Sequence, residues 1–206
     1  MELQASKLGK RFGFEWIFQD LDFNFSSGNA YAITGPNGSG KSTLIQVISG
    51  SLNKSVGELT YIHQNKKIEI DSIYKYVALS APYLELIEEF TLLELLKFHF
   101  KFKKSINAMD LNEMIDIMYL NKDQHKQIKQ YSSGMKQRVK LGLAVFSDCP
   151  LLLLDEPTSN LDEEGCNWYL NLLEKYRDKR TVLIASNDKR EYEFCDGGLD
   201  IMGFKR

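Results

Sequence analysis

Gly35-Pro36-Asn37-Gly38-Ser39-Gly40-Lys41-Ser42-Thr43 follows the pattern G-x-x-x-x-G-K-[ST], and its flanks support reading it as a phosphate cradle. Ala30–Thr34 before it is a short, nearly all-apolar run that suits a buried strand. Leu44-Ile45-Gln46-Val47-Ile48 after it suits a helix. Strand, glycine loop and helix in that order open a phosphate-binding α/β unit. Each residue type has a physical reason. Glycines let backbone N–H groups turn inward around phosphate oxygens, and the start of the following helix adds the positive end of its dipole. Lys41 can reach the outer phosphates of a nucleotide, and the Ser42 hydroxyl can ligate Mg²⁺. Gly35 through Thr43 are therefore the candidate nucleotide contacts.

Downstream, Leu151-Leu152-Leu153-Leu154-Asp155-Glu156 is a buried-strand run that ends in two adjacent carboxylates. Such a strand delivers them to the carboxyl edge of a sheet, where open α/β folds bind their ligands. Asp155 is then the candidate to hold Mg²⁺ through water. Glu156 is the candidate base that polarises a water attacking the terminal phosphate. Thr181–Ala185 reads as one more buried strand, and Tyr169, Leu172, Leu173 and Tyr176 before it have the spacing of a crossover helix. Near the start, Leu21, Phe23 and Phe25 alternate with polar residues, the period of a half-buried strand.

Two further segments point to one family. Tyr131-Ser132-Ser133-Gly134-Met135-Lys136-Gln137-Arg138 resembles the signature motif of ATP-binding-cassette (ABC) ATPases, usually written L-S-G-G-Q, at the family's usual interval before Asp155. Ser159-Asn160-Leu161-Asp162 resembles the family's D-loop. A helix opening at Ser132-Ser133-Gly134 has a capping hydroxyl and free N–H groups suited to grip a phosphate. With all four segments in the family's order, the chain resembles the nucleotide-binding subunit of an ABC transporter, of the bacterial exporter type. The resemblance implies ATP and Mg²⁺ as ligands. It implies that Ser133 and Gly134 cover the nucleotide of a second subunit, in a head-to-tail homo- or heterodimer. It also implies separate transmembrane permease subunits as partners, docked near Pro82–Phe90, and Phe12 as the aromatic that stacks on adenine.

Two positions depart from the family. Its Gln after the third core strand has no counterpart in Leu79-Ser80-Ala81-Pro82-Tyr83-Leu84-Glu85. Its His after the last core strand is replaced by Asn187, in Ile184-Ala185-Ser186-Asn187-Asp188. Asn can donate a hydrogen bond to a phosphate oxygen but carries no charge and exchanges no proton near neutral pH. Asn187 therefore joins Glu156 and Lys41 as a candidate catalytic position, with slow turnover expected.

Composition narrows the rest. Lys plus Arg total 26 against 28 Asp plus Glu, a net charge of −2, so no nucleic-acid partner is expected. Three widely spaced cysteines with no C-x-x-C pair argue against a disulfide framework or a zinc site. The start, Met1-Glu2-Leu3-Gln4, lacks the features of a signal peptide, and no apolar run approaches the ~18 residues that span a bilayer. A cytoplasmic protein, peripheral at the inner face of the membrane through its permease, is expected. Leu92–Phe102, and Leu111, Met114, Ile115 and Met118 at helical spacing, mark a helical insertion. The expected fold is α/β: a P-loop NTPase (RecA-like) parallel-sheet core with an N-terminal antiparallel β part and an inserted helical subdomain. One ABC ATPase domain would fill 1–206, its core at about 1–82 and 148–206 and its helical part at about 83–147. Two other functions stay open: a soluble ABC ATPase in assembly or regulation, and an ATP-binding switch with little hydrolysis.

Overall fold

A computed structural model describes residues 1–205. The chain divides into two compact units. The first comprises Met1–Leu79, Cys149–Glu156 and Arg177 onward, and it is built on two sheets. β1 (Glu2–Phe12), β2 (Glu15–Phe25), β4 (Val56–His63) and β5 (Lys66–Ile68) form an antiparallel sheet in the order β2-β1-β4-β5. β3 (Ala30–Thr34), β6 (Val77–Ser80), β7 (Leu151–Asp155), β8 (Thr181–Ala185) and β9 (Gly197–Asp200) form the second, in the order β6-β7-β8-β3-β9. Its β7–β8, β8–β3 and β3–β9 pairings are parallel.

β3, β7 and β8 occupy the spans that their apolar runs predict. All residues of β7 and β8 are buried, as a strand covered on both faces requires. α1 (Lys41–Ser49) packs Leu44, Ile45, Val47 and Ile48 into a cluster with Leu151, Leu153 and Leu183 of the parallel sheet. The same cluster takes in Leu3, Leu8, Phe18, Leu21 and Phe25 of the antiparallel sheet, so one core fixes both sheets to the helix after the glycine loop.

The second unit comprises Ser80–Asp148 and Pro157–Tyr176. It holds α2 (Leu92–His99), α3 (Leu111–Ile117), α4 (Ser133–Val145) and α5 (Glu163–Tyr176). Its extent differs from the sequence expectation, because the crossover helix α5 packs with the helical insertion. Trp168 Nε1 donates to the Ile117 carbonyl at 2.7 Å, and the Tyr176 ring meets Phe146 edge-on at 5.6 Å. The helical spacings bury Met114, Ile115 and Met118, and Tyr169, Leu172, Leu173 and Tyr176, while Leu111 is half-buried. α2 stops at His99, short of Phe102. All three cysteines are free, and no described helix is long and apolar enough to cross a membrane.

Candidate active site

In the first unit, β3 runs into the loop and α1 runs out of it. Gly35, Gly38 and Gly40 all have positive φ, which L side chains rarely adopt. A Cβ on Gly40 would lie 2.5 Å from a methyl of Ile17, and one on Gly35 would lie 2.7 Å from Ser39 Oγ. Backbone angle and lack of space both demand glycine there. Gly40 caps α1 without a side-chain hydrogen bond, so the first N–H groups of the helix are not taken by a cap. The Lys41 ammonium crosses the loop and donates to the carbonyls of Gly35 at 2.9 Å and Pro36 at 3.2 Å. The loop thus brings the uncapped start of α1 and the Lys41 ammonium together, a combination that fits a polyphosphate.

β7 carries Asp155 to the same edge. Asp155 is fully buried, and among the described residues neither carboxylate oxygen completes a hydrogen bond. Burial pushes its pKa up to about 6; the nearby Ser42 hydroxyl opposes the rise, the Glu156 carboxylate adds to it, Lys41 opposes it and Glu191 adds. A buried carboxylate beside the Ser42 hydroxyl, unpaired among the described residues, has the chemistry to ligate a divalent cation. No cluster of His, Cys, Asp or Glu among the described residues could hold a metal by itself. That fits Mg²⁺, which usually takes one or two protein groups and completes its shell with water and phosphate.

Glu156 follows at φ 44, a strained value for a residue with a side chain, and its N–H donates to the Ala185 carbonyl at 2.9 Å. The β7–β8 pairing thus continues one residue past the strand and fixes where the carboxylate leaves the sheet. Asn187, two residues beyond β8, donates from Nδ2 to Asn37 Oδ1 of the glycine loop at 3.0 Å. Phe12 ends β1 half exposed, with the Lys10 ammonium 4.8 Å from its ring centre, so it is not a core residue.

Glu191 escapes a sequence reading. It is a buried carboxylate whose charge reaches Asp155, in the short helical turn after Asn187. Its only trace is an acid shortly after the last apolar run. Ser39, inside the loop that the sequence marks, has its hydroxyl buried and without a partner among the described residues.

In the second unit, Ser132 caps α4 by accepting from the Met135 N–H at 3.2 Å, leaving Ser133 exposed and Gly134 half-buried at the helix start. A Cβ on Gly134 would lie 3.1 Å from the Asn160 carbonyl, and Gln137 Nε2 donates to the Pro157 carbonyl at 2.7 Å. The signature helix is thereby clamped to the segment that follows the carboxylate pair. Beside it opens a cleft of about 370 Å³ lined by Pro82, Leu84, Leu86, Ser133, Lys140 and Asn160. Tyr83, Leu84 and Ile87 are exposed at this end of the chain segment.

Comparison with known proteins agrees with this arrangement. A family model described as "ABC transporter" matches residues 18–159. The uncharacterized ABC transporter ATP-binding protein YybJ of Bacillus subtilis is 28% identical over 97% of this chain and 92% of its own length. The cytochrome c biogenesis ATP-binding export protein CcmA of Brucella abortus is 30% identical over 90% of this chain and 85% of its own. Among solved structures, the dimeric ATP-binding cassette MJ0796 bound to ADP and Pi superposes with a TM-score of 0.81, at 23% identity over 97% of this chain and 94% of that one. Cradle, carboxylate pair, signature helix and these likenesses together place the chain in the ABC transporter family, as an ABC ATPase nucleotide-binding subunit.

Proposed function

We propose that this chain binds and hydrolyses MgATP to power a membrane exporter, closing head-to-tail on a second ABC subunit while attached to separate transmembrane permease subunits at the inner face of the membrane. The observation that carries this reading is the buried Asp155, without a hydrogen-bond partner among the described residues, beside Ser42 and Lys41 of the glycine loop and helix start. The export direction draws support from CcmA, an export protein by name, and closure as a pair from the dimeric form of MJ0796.

The residues divide the work. Gly35 through Thr43 wrap the phosphates with N–H groups, Phe12 offers its exposed ring to adenine, and Lys41 exchanges the loop carbonyls for phosphate oxygens as its charge-assisted partners. Asp155 and Ser42 hold Mg²⁺, which when bound offsets the phosphate charge. Glu156 accepts a proton from water as that water attacks the γ-phosphorus, and ADP leaves with the bridging oxygen. Ser133 and Gly134 present the N-terminus of α4 to the nucleotide of the partner subunit. Asn187 keeps a donor near the loop but offers no imidazole, which favours slow turnover.

Lys41→Ala tests the site. It removes hydrogen bonds to a charged group, each worth about 1.5–3 kcal/mol, so ATP affinity should fall at least tenfold to hundredfold in an equilibrium titration. Unchanged affinity would remove the loop from ATP binding.

A further inference from the structure

Lys97-Phe98-His99-Phe100-Lys101-Phe102-Lys103-Lys104 contains four lysines, three phenylalanines and no acid, in a chain of net charge −2. The segment forms the last turn of α2 and the turn that follows, within the helical unit. Lys97, Lys101 and Lys104 are exposed, and none of the three enters a salt bridge among the described residues. Phe98 is 40% exposed and Phe102 74%. Their ring centres lie 5.3 Å apart, and Phe90 meets Phe98 at 5.7 Å, so an aromatic ladder rises from the end of the Pro82–Phe90 segment into the lysines. Single exposed apolar residues are ordinary, but stacked rings among cations mark a contact surface.

The neighbouring acids offset only part of this charge: Glu94 acts on Lys97, and no acid pairs with Lys101 or Lys104 among the described residues. Glu94 accepts from the Thr91 N–H and hydroxyl at 2.8 and 2.9 Å, while Glu88 pairs with Lys136 at 2.5 Å. Asp148 borders the patch through its N–H, which donates to the Lys104 carbonyl at 2.9 Å. His99 turns inward to Ser147 at 2.9 Å, and burial lowers its pKa to about 4, so it stays neutral and adds no charge.

We propose that this patch rests on an anionic lipid surface, with Phe98 and Phe102 in the headgroup–acyl boundary and Lys97, Lys101 and Lys104 against lipid phosphates. Lysine ammoniums on flexible stems suit a diffuse plane of negative charge, where the planar fork of Arg would select a fixed partner. Phenylalanine has no polar group to satisfy and gains most by leaving water for the acyl boundary. A nucleic-acid contact would draw on the planar, stacking guanidinium of Arg, and the segment 97–104 holds none. The inference rests on the proposed function in one respect only, that the subunit works beside a membrane.

Flotation of the full chain with vesicles tests it, without ATP and without permease. The chain should float with phosphatidylcholine vesicles that contain phosphatidylglycerol and not with phosphatidylcholine alone, and high salt should release it. The double variant Lys101→Glu/Lys104→Glu should lower partitioning on the order of thirtyfold or more, at roughly fivefold per lysine lost. Phe102→Ser should lower it about tenfold. ATP affinity should match the parent in both variants, which shows that they are folded. Equal binding to neutral vesicles, no binding to anionic ones, or variants that float like the parent would overturn the proposal. So would binding to a single-stranded oligonucleotide, lost in the lysine variant, with none to vesicles. Hydrolysis by a parent chain that ignores vesicles would leave the exporter reading intact, and vesicle binding by a chain that never hydrolyses ATP would leave the patch intact.

Discussion

Asp155 holds a buried carboxylate without a hydrogen-bond partner among the described residues, and its raised pKa expresses the cost. The sign follows from linkage. Below 3.8 both folded and unfolded chains bind the proton, and burial is tolerated. As pH climbs toward about 6 the unfolded chain ionises freely while the folded one resists, so stability falls across that window. Asp155→Asn should therefore stabilise the nucleotide-free chain by about 1–2 kcal/mol in denaturant unfolding above pH 6, with little gain near pH 4. The same variant should lose Mg²⁺-dependent ATP binding. Asn187 gives a second test. Asn187→His forgoes the bond to Asn37 but restores an imidazole near the loop, and transition-state donors commonly carry about 10²–10³ in rate. Single-turnover hydrolysis at saturating ATP should rise several-fold with affinity little changed; a slower variant would make Asn187 the working residue. At this scale the sequence displays Lys41 and Asp155 through pattern and position, whereas Glu191 is invisible because only the fold brings its charge to bear on Asp155.

Elements were legible where composition and period agree. β7 and β8 are unbroken apolar runs, and α1 follows a glycine loop whose geometry dictates a helix start. β4, β5 and β9 had no such signal. β4 mixes Glu58, Thr60 and His63 with its apolar residues, β5 is the short Lys66-Lys67-Ile68, and β9 opens with two glycines. Their strands form because a partner supplies the ladder: β1 for β4, β4 for β5 and β3 for β9. α2 carries its start signal in Thr91 and Glu94, which close a reciprocal capping box. Thr91→Ala removes it and should cost about 1 kcal/mol of stability, read from the unfolding midpoint of the helical unit. α5 has a clear helical period, yet the period does not reveal which unit it joins. That depends on Trp168 and Tyr176 finding Ile117 and Phe146, contacts far apart in the chain.

At the scale of the molecule, the proposed function assigns each unit one half of a nucleotide clamp. The sheet unit carries the cradle, the carboxylate pair and Asn187, and the helical unit carries the exposed start of α4 with Ser133 and Gly134. In the proposed function the two halves meet on one ATP only when two subunits pair, so hydrolysis and dimerisation share a single intermediate. Glu156→Gln isolates it, because the amide keeps the shape of the side chain but cannot take the proton of the attacking water. The decisive measurement is the mass of the Glu156→Gln chain with MgATP, followed by light scattering on a sizing column beside released phosphate. The expected result is parent-like ATP affinity, no phosphate release and a doubled mass that reverts when ATP is removed. Phosphate release at the parent rate would contradict the assignment of Glu156 as base, and a mass that stays single at saturating ATP would contradict ATP-driven closure of two identical subunits.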